Sequence, residues 1–133
     1  MVVIMSNKRI TKIVGYINED IIEKYNLSEY IGKPIVQSLD LYAHIQKHLK
    51  DFKSVDSFNY AVSNIDKIIK NPDFVYNEKN RNSLLYYKKM QENVCVVVKL
   101  NLRENKDCYV SSIYPVSEYK IRKMIEKSYL KIE

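Results

Sequence analysis

His44 and His48 are the only histidines in the chain, and they stand four residues apart in a segment with apolar residues at Leu41, Ile45, Leu49 and Phe52. On an α-helix that spacing puts both rings on one face, about one turn apart. Two imidazoles so placed suit acid–base work, because a neutral ring takes up a proton and a charged ring gives one back near neutral pH. His48 falls in the middle of the apolar stripe and His44 towards its edge. An imidazole where a core residue belongs needs a hydrogen-bonding partner or an opening. A core histidine bonded to a carbonyl meets that need as well as a cleft-lining one does. Asp40, His44 and His48 also form an i, i+4, i+8 ladder of metal-ligand types. Ile45 stands where the His-Glu-x-x-His motif carries its general base, and no further histidine completes a set, so neither a metal nor a cofactor is expected.

Other chemistry-bearing residues lie towards the C-terminus. Lys99 interrupts an otherwise apolar strand, Val94-Cys95-Val96-Val97-Val98-Lys99-Leu100, and strand alternation puts it on the face of Cys95, Val97 and Asn101. A charge there must reach an edge, a cleft or a partner, unless its stem merely snorkels. In Tyr109-Val110-Ser111-Ser112-Ile113-Tyr114-Pro115, Ser112 and Tyr114 share one face and Ser111 takes the other. Hydroxyls two apart on one strand can donate together to a phosphate or hold a base, although ordinary strand polarity would also account for them. Lys88 and Lys89, and Lys120, Arg122, Lys123 and Lys127 further on, are candidate contacts for a phosphate backbone, or simply a solvated surface. Twelve tyrosines could include some that stack on bases, most being half-buried packing.

The elements that must position these residues follow from periodicity. Residues 10–17 read as a strand, and Asn18-Glu19-Asp20 opens a brief helix through Ile21, Ile22 and Tyr25. After Gly32 and Pro34, Ile35-Val36 read as extended. Ser38 is expected to cap a helix over 39–52. A second helix starts near Ser54 or Asp56, turns Phe58, Val62, Ile65 and Ile69 inward, and stops at Asn71-Pro72-Asp73. Residues 74–76, 83–90, 94–102 and 108–114 are then β-branched and aromatic between polar turns, which predicts an antiparallel meander. Ser117 caps a last helix with Ile121, Met124, Ile125 and Ile132 inward. Helices followed by a meander predict an α+β fold, with helices packed on one face of a central antiparallel sheet.

Composition bounds the function. The 133 residues, 46% hydrophobic with two Gly and three Pro, fit one globular domain over 1–133 that folds without disulfide or metal. The 22 Lys and Arg against 16 Asp and Glu leave a net charge of +6, which favours polyanionic partners such as nucleic acid or an acidic membrane surface. Cys95 and Cys108 sit in apolar runs and read as buried thiols of a reducing compartment. Met1 to Met5 is too short for a signal or membrane-spanning segment, so no membrane partner is expected and the cytoplasm is the expected location.

Four motifs in order resemble a known group: His44-Ile45-Gln46-Lys47-His48, Asn71-Pro72-Asp73-Phe74-Val75-Tyr76, Val96-Val97-Val98-Lys99-Leu100 and Ser112-Ile113-Tyr114-Pro115. Across roughly residues 10–126 the chain resembles the phage-associated branch of the Barnase–EndoU–colicin–RelE nuclease superfamily. The resemblance implies a metal-independent endoribonuclease, toxin-like or phage-encoded, that cleaves RNA through the 2′-hydroxyl. It implies a catalytic set of His48, His44, Lys99, Ser112 and Tyr114, with Lys88, Lys89 and Ser111 contacting RNA. One group would take the 2′-hydroxyl proton and another would protonate the leaving 5′-oxygen. Lys99 would stabilise the phosphate charge, while Ser112 and Tyr114 position phosphate or base. EndoU enzymes draw their two histidines from separate segments, whereas here both belong to one. RNA, and an antitoxin or immunity protein, are the partners so implied. The rival readings are a non-catalytic RNA-binding or phage accessory module of the same fold, and an inhibitor confined to ribosome-bound message or one tRNA.

Overall fold

A computed structural model describes residues 3–6, 9–101 and 106–132, with side chains over 11–101 and 106–127. Two hydrophobic segments flank the sequence-predicted helices. The first is β1 (Val3–Ser6), β2 (Arg9–Tyr16) and β3 (Pro34–Ser38), and the second is β4 (Phe74–Glu78), β5 (Ser83–Lys88), β6 (Val94–Lys99) and β7 (Cys108–Pro115). Between and after them lie α1 (Glu19–Tyr25), α2 (Leu41–Ile45), α3 (Val55–Ser63), α4 (Ile65–Lys70) and α5 (Glu118–Ile132). The strands form one seven-stranded sheet in the order β1-β2-β3-β7-β6-β5-β4. The α+β reading holds, and the meander over β4 to β7 is antiparallel throughout.

Two features depart from expectation. The sheet is mixed, because β3 meets β7 in parallel through two rungs only, Ile35 with Cys108 and Val36 with Tyr109. That short seam joins the N-terminal strands edge to edge with the meander. The helices also do not all lie on one face. Phe58, Ala61, Ile65, Ile68 and Ile69 of α3 and α4 pack with Leu41 and Ile45 of α2 over Leu84, Tyr86, Val94, Val96 and Val98. Ile121 and Met124 of α5 cover the reverse face, against Tyr76, Leu85, Tyr87 and Cys95. The reason lies in β5 and β6, whose apolar residues run without alternation. Leu84 and Tyr86 need one cover, Leu85 and Tyr87 another. Pro115 ends β7, the Ser117 hydroxyl accepts from Lys120 N at 3.0 Å, and the chain turns back as a helix over the second face.

Local differences have equally plain causes. β1 was not expected, since its four residues carry little pattern; it pairs antiparallel with β2. The helix over 54–70 breaks at Asn64, whose side-chain amide donates to the Tyr60 carbonyl at 2.7 Å. The break shifts phase, so that Ala61 and Ile68 are buried while Val62 is half-buried. The strand expected to 102 ends at Lys99; Leu102 and the turn residues 103–105 lie outside the described residues, as does the side chain of Ile132. Both cysteines are free thiols and fully buried. Among the described residues no helix is long and apolar enough to cross a membrane.

α4 presses directly on β2. A β-carbon at Gly15 would stand 3.1 Å from Ile69 Cγ2, so the helix sits as close as a glycine permits. Gly15→Val is expected to lower stability by about 1–3 kcal/mol, the usual cost of overpacking a filled core. Urea unfolding measures this, and an unchanged midpoint would show that α4 does not bear on β2.

Candidate active site beside the seam

Beyond the seam, residues 110–115 of β7 have no β3 partner: the pairing stops at Val36, β3 ends two residues later at Ser38, and the chain departs into α2. The turn that follows α2 lies against this unpaired side of β7. It is not a continuation of the α-helix. From Gln46 to Asp51 the backbone winds as a 3-10 helix. With three residues per turn, side chains three apart eclipse. Ile45, His48 and Asp51 therefore stack along one line. Ile45 is fully buried and anchors the line in the core. His48 above it keeps a quarter of its side chain exposed, and Asp51 lies half-exposed beyond, its Oδ2 3.5 Å from His48 Nδ1.

The same winding separates the histidines. Between residues 45 and 48 the chain completes a full turn in three steps, which swings His44 roughly 100–120° away from His48. His44 is exposed; its backbone N–H donates to the Asp40 carbonyl at 3.3 Å, and among the described residues its ring makes no hydrogen bond or ion pair. The Asp40–His44–His48 ladder is split by this rotation. Ser38 does not cap α2, since Asp40 takes the N-cap position and receives the Ser38 hydroxyl on its carboxylate.

A second device presents the partners of His48. β7 carries one extra residue against β6: Val98 pairs with Val110 and Val97 with Ser112, leaving Ser111 as a β-bulge. Had β7 alternated regularly, Ser112 and Tyr114 would have followed Cys108 and Val110 into the main core. The bulge turns them to the opposite face and sends Ile113 into the core instead. Ser111 Oγ donates to the Val97 carbonyl at 3.4 Å, so this hydroxyl is used in holding the bulge.

On the redirected face, Ser112 Oγ lies 3.3 Å from His48 Nε2. The His48 and Tyr114 ring centroids are 6.5 Å apart. An Asp51–His48–Ser112 line results, in which one ring nitrogen faces a carboxylate and the other a hydroxyl. Such a line favours the tautomer with the proton on Nδ1, leaving Nε2 as acceptor. Burial, with the Cys95 thiol alongside, pushes the Tyr114 phenol up, and the phenol stays protonated. Tyr114 is thus a hydrogen-bonding group and not a base.

The remaining sequence candidates lie apart from this line. Lys99 shares the face, one row beyond Val97 and Ser112, but its ammonium donates to the Arg81 carbonyl at 3.0 Å. Lys88 donates to the Asn71 carbonyl at 2.9 Å and lies 3.7 Å from Asp73. The Lys89 ammonium is 4.0 Å from Glu118. Lys88 ends β5 and Lys89 follows it. Among the described residues no group of three His, Cys, Asp or Glu side chains gathers as a metal-ligand set. Asp51 is the residue that sequence reasoning missed. Its signal, a carboxylate three residues after the histidine, becomes legible only if the segment is known to wind with a period of three.

Comparison with known proteins identifies a family. The model of a family described as phage-Barnase-EndoU-ColicinE5/D-RelE like nuclease3 matches residues 11–123, which include every residue of the site just described. No curated protein and no solved structure matches the chain.

Tyr87, Cys95 and Tyr114 form one row across β5, β6 and β7 behind the site. Burial dominates all three; it pushes the Cys95 thiol from 9.0 up to about 12 and raises both phenols further. Because the folded values lie above the unfolded ones, unfolding releases protons at alkaline pH and stability is lost as pH rises. The urea midpoint is expected to fall steadily from pH 9 upward, as the unfolded thiol ionises while the folded one does not. A midpoint level between pH 8 and pH 11 would contradict the burial of this row.

Proposed function

Because the chain belongs to this phage-associated nuclease family, we propose that it is a metal-independent endoribonuclease cleaving RNA through attack of the 2′-hydroxyl. The observation that carries the reading is the Asp51–His48–Ser112 line, with Nε2 at 3.3 Å from a hydroxyl and the ring partly open to solvent. Ser112 Oγ occupies a place where a substrate hydroxyl or phosphate oxygen would approach the imidazole. RNA supplies both groups on one nucleotide, which DNA does not.

In the proposed reaction His48 Nε2 takes the proton of the 2′-hydroxyl while Asp51 steadies the resulting imidazolium. The 2′-oxygen bonds to phosphorus, the bond from phosphorus to the 5′-oxygen breaks, and a 2′,3′-cyclic phosphate remains. The leaving 5′-oxygen takes a proton from His44 or from water. Ser112 donates to a non-bridging phosphate oxygen, and Tyr114, held protonated, donates beside it once its phenol leaves the Cys95 thiol. Lys99, on the same face, supplies positive charge as the pentacovalent phosphate forms; to do so its ammonium must leave the Arg81 carbonyl. The net charge of +6 draws the polyanion in. An inhibitory antitoxin or immunity protein would act by covering this face.

Cleavage of total RNA in the presence of EDTA tests the reading. His48→Ala is expected to reduce the rate by about 10²-fold or more while RNA binding is largely kept, because a general base acts on the barrier. Asp51→Asn, which keeps the shape but not the charge, should lower kcat with little effect on KM. His44→Ala distinguishes the two proton donors: a large loss assigns the imidazole, a near-native rate assigns water. A His48→Ala protein that is less stable yet cleaves as fast per folded molecule would end the assignment. Binding without cleavage by the unaltered chain would mark a non-catalytic RNA-binding module.

A further inference from the structure

A cavity of about 820 Å³ opens on the α4 side of the molecule, away from Ser112. Four lysines line it, Lys67 and Lys70 from the last turn of α4 and Lys88 and Lys89 from the end of β5, and no carboxylate does. Ile68 and Met90 supply apolar lining, and Tyr60, a residue 62% exposed, stands on its wall. Lys88 is held by Asn71 and Asp73, and Lys89 reaches towards Glu118. Lys67 and Lys70 are exposed, and among the described residues neither ammonium has an acidic partner.

Positive charge around an apolar floor with an accessible aromatic ring is the composition of a single-stranded nucleic acid site. Ammonium groups track phosphates, and the ring stacks on a base without regard to its identity. The cavity also has a route to the candidate active site. Met90 and Gln91 line both it and a neighbouring cavity of about 550 Å³, and Asp51 and Lys53 line that neighbour in turn. Asp51 is the residue in contact with His48. Carboxylates do occur along this route, but they have partners: Glu92 accepts from Lys53 N at 2.9 Å and Glu118 from the Asn93 amide at 2.9 Å.

We propose that the Lys67–Lys70–Lys88–Lys89 cavity, with Tyr60, binds a stretch of single-stranded RNA distant from the cleaved bond, so that long substrates are held at two places. This rests on the RNA reading above. It makes the turn between β5 and β6 the bridge over which the strand passes. Short substrates would occupy the His48 end alone.

The experiment uses 2′-O-methyl oligouridylates, which lack the attacking hydroxyl, as a tetramer and a dodecamer, with affinity read by fluorescence anisotropy at two salt concentrations. The Lys67→Ala/Lys70→Ala double variant is expected to weaken dodecamer binding by about tenfold and to lower the slope of log affinity against log salt by about 1.4, two phosphate contacts' worth. Tyr60→Ala should weaken the dodecamer as well, through lost stacking. Tetramer binding, and the rate on an unmodified tetramer, should not change. Unchanged dodecamer binding would overturn the proposal and leave the lysines to an acidic protein partner. Equal loss on both lengths would overturn it too, by showing a general charge effect. If the unaltered protein cleaves no RNA yet the dodecamer-specific loss appears, the cleavage reading fails and the cavity assignment stands.

Discussion

Two rungs of parallel pairing, Ile35 with Cys108 and Val36 with Tyr109, hold the halves of this domain in one sheet. Everything at the candidate site follows from how short that seam is. If β3 ran on beside β7, its backbone would occupy the place where the 3-10 turn now lies. Because β3 stops at Ser38, the chain turns out, forms α2, and lays Gln46–Asp51 against the unpaired side of β7. The buried pair Ile35 and Cys108 carries the seam into the main core, so the core fixes where the sheet divides.

The two faces of the sheet then have different duties. One is closed by α2, α3 and α4 and supplies most of the buried apolar surface. The other is covered by α5 over β4 to β6, while Tyr109 on β7 stays 41% exposed. A single extra residue, Ser111, decides which duty each side chain of β7 performs. Before it, Cys108 and Val110 face the core; after it, Ile113 does, and Ser112 and Tyr114 turn to the half-open side. Bulges commonly re-aim side chains beside active sites, and here the re-aimed pair is the one that meets His48.

Much of this was legible in the sequence, and the parts that were not have physical reasons. The switch from helical to alternating pattern near Asp73 marks the meander, and Pro115 and Ser117 mark the last turn. The resemblance carried by the His44–His48, Val96–Leu100 and Ser112–Pro115 motifs pointed to the right family. The reverse-face packing of α5 was already implicit in the unbroken apolar runs of β5 and β6, which an open sheet face would not need. The bulge was not legible, since nothing in Val110-Ser111-Ser112-Ile113 distinguishes an extra residue from regular alternation. Nor was the tightening after Ile45, because apolar residues at 41, 45, 49 and 52 suit an α-helix well. That misreading grouped His44 with His48 and hid Asp51.

The 3-10 turn has a further consequence. Helices of this kind have poorer hydrogen-bond geometry than α-helices and rarely persist beyond a few residues. This one has a fully buried residue before it and a buried Phe52 after it, but none within Gln46–Asp51 itself. Leu49 packs half-buried against the core from within it, so the segment that carries His48 is pinned at both ends and lightly held between. Segments with few buried apolar contacts open locally more readily than the strands of a core. A molecule that prefers an opened turn would draw His48 away from Ser112 while leaving the sheet intact.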